Sequence, residues 1–387
     1  MAQKSSDETS AGSQRARRVR VLQILTCDGI GGTELMVVKL ASALARDRFD
    51  VHVALLAPGG PITQRLRAAG VAVWPLGGRG WAITAWRLGQ VLRRGRYDVV
   101  HAYGFKGPFL ARFLVRALTR ARFVSGVQGL HPAEVEDMRS FKSRLVLTLE
   151  RLTSRLVDVY DANSEGAAHL LDAHGIAPGR IRYIPNGIAT AEWGVPDHVP
   201  ADVPLVACVA RFISRKRQHD LVLAASKLLA EGVALRLVFA GEGPTLGQVR
   251  AAADDLGIAE HVRFAGPLDS AGVRALLAET DVYCQPSLWE GMPATVLEAM
   301  ACGRAVVATR VNGIEDLVRD GETGWLVPPC EPAALAQGLR EALADPDRRR
   351  ALGAAGRQRV EREFREDRML AIKGELYSEL ALGTRER

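Results

Sequence analysis

The sequence predicts an α/β protein made of two Rossmann-like halves, each a parallel sheet covered by helices, facing one another across a cleft. Three observations predict it. Short apolar runs rich in β-branched residues alternate with amphipathic segments of helical period, the pattern of repeated strand–helix units. Glycine-rich turns follow strands in both halves, and the alternation breaks once, at a proline-rich stretch, before it restarts. At 387 residues the chain also exceeds the size at which single cores stop growing, so two domains are the default.

Taken in order, residues 1–20 (MAQKSSDETSAGSQRARRVR) are polar and basic-ended, without the apolar centre of a signal peptide. They read as a disordered tail on a cytosolic protein. VRVLQIL is a continuous strand-like run, and CDGIGG after it opens a helical TELMVVKLASALARD. DVHVALLA, VAVWPL, YDVVHAY, RFVSGVQG and VDVYDANS then read as strands, with amphipathic segments mostly between them, and IRYIPNG closes a first half at 21–187. Residues 188–204 hold Pro196, Pro200 and Pro204 with no clear period, and read as a linker. The pattern resumes in PLVACVARF, LRLVFAGEGP, HVRFAG, DVYCQPS, RAVVAT and GWLVPP, giving a second half at 205–365. A final helical segment at 366–387 is expected to pack back on the first half.

A hydrophobic content of 48% with 25% charged residues is that of a soluble globular protein. No apolar run approaches the ~20 residues of a membrane span. Five scattered cysteines without a CxxC pair argue against metal or disulfide frameworks and for buried free thiols. The net charge of +7 is unevenly divided. Residues 1–195 carry 27 Lys and Arg against 16 Asp and Glu, net +11; residues 196–387 carry 24 against 28, net −4.

The richest segment is SLWEGMPATVLEAMACG, with Glu290 and Glu298 eight positions apart. On one helix that spacing would leave the carboxylates roughly 80° and ~12 Å apart, too far to share a bond. Pro293 suits the first turn of a helix, which puts Glu290 in the preceding loop and Glu298 inside the helix. Between them the free N–H groups near Ala294, Thr295 and Val296 form a seat for an anion such as phosphate. Gly31 and Gly32 open a helix after the first strand, where they serve either a close ligand approach or a tight turn. Arg211 and Lys216 follow the first strand of the second half, and Gly241 sits in the turn AGEGP. As a dinucleotide fingerprint that turn has the wrong spacing, and the next strand lacks a ribose-binding acid.

Together, Gly31, Gly32 and Glu34, IPNG at 184–187, Arg211 with Lys216, AGEGP, and above all PSLWEGMPATVLEAMACGRAVVAT resemble the family 4 retaining glycosyltransferases of GT-B fold. The resemblance implies transfer of a sugar from a nucleotide diphosphate sugar to a hydroxyl acceptor, with retention of anomeric configuration. It implies that Glu290 faces the transferred sugar, that Glu298 accepts hydrogen bonds from the ribose, and that Arg211 and Lys216 clamp the diphosphate. Gly31, Gly32, Gly241, Gly291, Met292, Pro293, Ala294, Thr295 and Val296 are implied to line the donor site, and the first half the acceptor side. No metal or other cofactor is expected; the only DxD, at 345–347, looks like a helix-starting turn.

On the acceptor side, His101 reads either as an acceptor contact or as a structural, hydrogen-bonded histidine. Gln128 stands where family members often carry a histidine, with His131 three residues on, and glutamine cannot titrate. The basic first half reads as a solvated face or as a docking surface for anionic membrane or a lipid-linked acceptor on the inner face of the membrane. Its amphipathic segments most simply pack on their own sheet, and Trp81, Ala85, Leu88 and Leu92 form a helical stripe that favours core packing of Trp81. A nucleotide-sugar-binding protein without turnover would be expected to lack the glutamates or cations, all of which are present. Nucleic-acid binding lacks a recognisable motif or aromatic platform.

Overall fold

The structure, a computed structural model, describes residues 17–385 apart from 30, 79, 105, 129–140 and 195–201. Most of the expected tail and His131 lie outside the described residues. The first strand already begins at Val19, inside the stretch assigned to the tail.

The first sheet contains β1 (Val19–Leu25), β2 (Phe49–Leu55), β3 (Ala72–Pro75), β4 (Val99–Tyr103), β5 (Arg122–Val127), β6 (Val159–Ala162) and β7 (Ile181–Tyr183). The second contains β8 (Leu205–Val209), β9 (Arg236–Ala240), β10 (Val262–Gly266), β11 (Val282–Gln285), β12 (Ala305–Thr309) and β13 (Trp325–Val327). All pairings are parallel, in the orders 3-2-1-4-5-6-7 and 10-9-8-11-12-13. Such sheets are buried on both faces, which is why their strands read as unbroken apolar runs. In β1, Val21 and Leu25 enter one core while Leu22 and Ile24 enter the other.

The helices of the first half are α1 (Gly32–Ala43), α2 (Pro61–Ala68), α3 (Trp81–Gly95), α4 (Lys106–Leu118), α5 (Phe141–Thr153) and α6 (Glu165–Ala173). Those of the second are α7 (Gln218–Ala230), α8 (Leu246–Asp255), α9 (Ser270–Glu279), α10 (Ala294–Ala301), α11 (Pro332–Ala344) and α12 (Pro346–Glu363), followed by α13 (Glu366–Arg385). Sequence chemistry sets several starts. Asp28 caps α2 by accepting from the N–H groups of Ile62 and Thr63 at 2.8 and 3.0 Å. The DPD at 345–347 starts α12, with Asp345 accepting from Arg348 N at 2.9 Å.

The chain crosses between the halves twice, and the crossings pair. Ile188 N donates to Phe364 O at 2.9 Å and Glu366 N to Ile188 O at 3.0 Å. A Cβ on Gly187 would stand 2.6 Å from the carbonyl of Arg365, so glycine allows this approach. The linker is more firmly held than its prolines suggest, because Ile188 and Trp193 are buried in the second-half core with Val296 and Met300. Beyond the second crossing, α13 returns to the first sheet, where Met369, Leu376 and Tyr377 pack with Val21, Val37 and Leu40.

Two expectations about burial are corrected. Cys208, Cys284 and Cys302 are buried, whereas Cys27 and Cys330 are exposed in loops. Leu88 and Leu92 are buried, but Trp81, the first residue of α3, is 54% exposed, because the whole first turn, Trp81, Ala82 and Ile83, lies outside the core that Leu88 and Leu92 enter.

Candidate functional site

In open α/β sheets, ligands bind beyond the carboxyl ends of the strands where the strand order reverses. That point lies between β1 and β4 in the first sheet and between β8 and β11 in the second. The turn of Gly31 follows β1, the loop of Arg211 and Lys216 follows β8, and the loop of Glu290 follows β11.

Glu290 is 4% exposed and held from several sides. Its Oε1 accepts from Ser287 Oγ at 2.6 Å and Gln285 Nε2 at 3.1 Å, and it forms an ion pair with Lys216 Nζ. Its Oε2 lies 3.4 Å from Arg215 Nη1, whose guanidinium sits over the Trp289 ring. Behind it runs a polar chain, Tyr283 Oη donating to Gln285 Oε1 at 2.8 Å and Gln285 Nε2 to Ser287 Oγ at 2.7 Å. Burying a carboxylate is costly unless it is paired and hydrogen-bonded, and this one is both. Arg211 differs: its side chain is exposed and forms no ion pair with the described residues.

Pro293 stands just before α10, and Val296 N donates back to its carbonyl at 3.2 Å. Val296 therefore leaves the expected anion seat, and the outward N–H groups are those of Ala294 and Thr295. Glu298 lies one turn into the helix, partly exposed. Burial pushes its carboxyl up to about 7, against the opposing pull of Lys39 on α1 and Arg274 on α9.

The glycines act mainly by what they let pass. Gly241, at φ +137°, leaves no room for a Cβ against the carbonyl of Ala210, and Gly243, at φ +149°, packs likewise on Phe212. Phe212 N donates to Glu242 O at 2.8 Å, so this turn braces the loop carrying Arg211. Gly31 precedes α1, where a Cβ would meet the Glu34 side chain; Gly32 has open space around it. Burial and the neighbouring Glu34 push the Cys27 thiol up, against the opposing pull of Arg211. The halves also touch where Asn186 N meets Met292 Sδ at 3.2 Å and where Glu165 N donates to Asp316 Oδ2 at 2.8 Å.

Comparison with known proteins bears on this arrangement. Residues 30–192 match the family model "Glycosyltransferase Family 4" and residues 195–359 the model "Glycosyl transferases group 1". Over 368 residues the chain is 30% identical to the D-inositol 3-phosphate glycosyltransferase of Acidothermus cellulolyticus, covering 84% of this chain and 80% of that protein. The chain belongs to the family 4 glycosyltransferases. Over 163 residues it is 37% identical to the GDP-mannose-dependent alpha-(1-6)-phosphatidylinositol monomannoside mannosyltransferase of Mycolicibacterium smegmatis, a match spanning 40% of this chain and 43% of that relative's length. Among solved structures, HepE of Anabaena in complex with UDP superposes with a TM-score of 0.80 at 20% identity, covering 93% of this chain and all of that one. The two-sheet architecture is thus the GT-B fold.

In this glycosyltransferase, the structure gives His101 the structural role of the two the sequence leaves open. It has no exposed surface; Nδ1 lies 2.8 Å from Tyr377 Oη and Nε2 3.3 Å from Asp161, which pairs with Lys373 of α13. Burial, aided by Lys373, holds its pKa well below the usual histidine value, so the ring is neutral. Gln128 stands at the end of β5, where its Oε1 accepts from Asn163 Nδ2 at 3.0 Å. Sequence reasoning missed Arg215, Gln285, Ser287 and Gly313. The signal for Gln285 and Ser287 was two polar residues at period two ending an apolar strand. Gly313, at φ +77°, packs directly on the Gly291 carbonyl, and nothing local in the sequence marks it.

Proposed function

We propose that this chain is a retaining, metal-independent glycosyltransferase that moves a sugar from a nucleotide diphosphate sugar to a hydroxyl acceptor, lipid-linked or saccharide, in the synthesis of a cell-surface polysaccharide or glycolipid. The observation that carries the reading is the buried Glu290 carboxylate paired with Lys216 beside the amino end of α10. A departing nucleoside diphosphate accumulates negative charge on phosphate, and positive character develops at the anomeric carbon. Arg211, Lys216 and the N–H groups of Ala294 and Thr295 suit the first charge, and Glu290 suits the second. An arriving diphosphate competes for Lys216, which frees one oxygen of Glu290 to face the sugar. Glu298 would take the ribose hydroxyls. The relative from M. smegmatis is named for GDP-mannose and HepE was solved with UDP; a nucleoside diphosphate is what they share, and it supports this donor class.

A donor panel scored by nucleoside diphosphate release tests the reading. Glu290→Ala should lose transfer while still binding nucleoside diphosphate; wild-type turnover in that variant would overturn the assignment. Activity should persist in excess EDTA, because protein cations serve the phosphates, and complete reversible loss on chelation would sink the metal-free mechanism. Binding without turnover across all donors would instead mark a nucleotide-sugar-binding protein of the same fold.

A further inference from the structure

We infer that the outer face of α3, α4 and α5 docks on an anionic lipid bilayer. The three helices form one layer on one side of the first sheet: Leu88 and Leu92 of α3, Ala111 and Val115 of α4, and Leu147 of α5 share a core. Arg112 of α4 reaches across to Glu150 of α5 at 2.7 Å. The expected packing of apolar positions on the sheet thus holds for the residues of this core, but the opposite faces are exposed and carry further apolar side chains.

The outward face of α3 carries Ile83, Trp86, Arg93 and Arg94, with Trp86 65% exposed. That of α4 carries Phe113, Arg116 and Ala117. On α5, Leu145, Leu149 and Leu152 make an exposed row at i, i+4 and i+7, and beside it runs a basic row of Arg144 and Arg151. The sequences of the three helices hold one acidic residue, Glu150, and it is buried against Arg112. Among the described residues of these three helices, the exposed face is therefore apolar and positive with no carboxylate.

That combination selects the occupant. A second copy meeting this face by twofold symmetry would set arginine against arginine. An anionic bilayer meets both demands, since leucine and tryptophan side chains enter the boundary between head groups and acyl chains while arginines meet lipid phosphates. Crossover helices run back against the strands they follow, so α3 and α5 begin at the cleft edge of the sheet, with Trp81, Ile83 and Leu145 near that rim. Docked this way, the cleft would open beside the membrane, where a lipid-linked acceptor would present its hydroxyl. Only this last purpose rests on the proposed acceptor; the docking does not.

The test is co-sedimentation of the full chain with phosphatidylcholine vesicles, with and without phosphatidylglycerol. Binding should require the anionic lipid and fall steeply as salt shortens the screening length from ~10 Å at 0.1 M to ~3 Å at 1 M. Arg93→Gln, Arg94→Gln and Arg116→Gln should each weaken it about fivefold. Trp86→Ala with Leu149→Ala should weaken what remains at high salt. These side chains are exposed, and unchanged circular dichroism and nucleoside diphosphate binding confirm the fold of each variant. Equal binding to neutral and acidic vesicles, indifference to these substitutions, loss on removing residues 1–16 alone, or self-association in place of vesicle binding would each overturn the inference. Glu290→Ala should dock like the wild type, so a failed catalytic assignment and a failed docking surface give different results.

Discussion

At Glu290 the protein holds a carboxylate in readiness, with Ser287 and Gln285 fixing Oε1 and two basic side chains balancing the charge. Arg211 stands outside that set, exposed and unpaired among the described residues, so in the proposed mechanism its work begins when phosphate arrives. Arg211→Ala should therefore weaken nucleoside diphosphate binding far more than nucleoside binding in titration calorimetry, and equal losses would refute a phosphate role. In the proposed mechanism Glu298 would make donor binding sensitive to pH. With its pKa raised to about 7, ionisation falls about tenfold from pH 8 to pH 6, and nucleoside affinity should follow if ribose hydroxyls donate to the carboxylate. A nucleoside is the suitable probe because it has no phosphate to titrate. The same group affects stability with a definite sign: between about 4.5 and 7 the folded chain keeps a proton that the unfolded chain has lost, so stability falls as pH rises. Glu298→Gln should flatten both dependences, and a melting curve whose pH slope is unchanged in that variant would contradict the assignment.

Among the elements, the loop after β11 is shaped by a neighbour as much as by its own residues. Gly313 meets the Gly291 carbonyl at a φ that disfavours any side chain, so Gly313→Ala must push the Glu290–Gly291 peptide aside. Such a change should cost about 1–3 kcal/mol in denaturant melts and reduce turnover more than donor affinity. On the first half, Arg112 is 1% exposed and joins α4 to α5 through Glu150 and Thr153. Arg112→Ala should destabilise by about 3–5 kcal/mol, because it strands a buried carboxylate; a loss below 1 kcal/mol would mean that water reaches Glu150. These elements also show what was legible. Each apolar run read as a strand is a strand, since parallel sheets buried on both faces write themselves as continuous β-branched runs. The start of α10 was legible because proline fixes φ and lacks an N–H, a local signal for the beginning of a helix. The outward leucine row of α5 was not, because helical period states that a helix has an apolar face and leaves open what covers it. The contacts of Gly313, and of Arg215 with Glu290, join distant segments that no local pattern records.

For the whole molecule, two domains and the cleft followed from length and from the restart of the strand–helix pattern. The network that fixes α13 did not. Lys373 and Tyr377 reach Asp161, His101 and Gln23 across most of the sequence, and all five are fully buried. Burying Met369 and Leu376 alone contributes on the order of 1.5–3 kcal/mol each, against total stabilities of roughly 5–15 kcal/mol. A chain ending at residue 365 should therefore show cooperative melting of the second half only, with the first half expanded and open to protease. Native-like melting of both halves would refute the dependence on α13.

The return of α13 also governs the order of events during synthesis. A domain made of one continuous segment can fold as soon as it clears the ribosome, but here the first half lacks α13 until the whole second half has been translated ahead of it. Throughout that interval the growing chain carries an incomplete core, with Asp161 and His101 lacking their helical partners, while the second half is made and can fold independently. Of the two halves, the one translated earlier is therefore the later to be completed, and its nascent form is the species that a chaperone would have reason to hold.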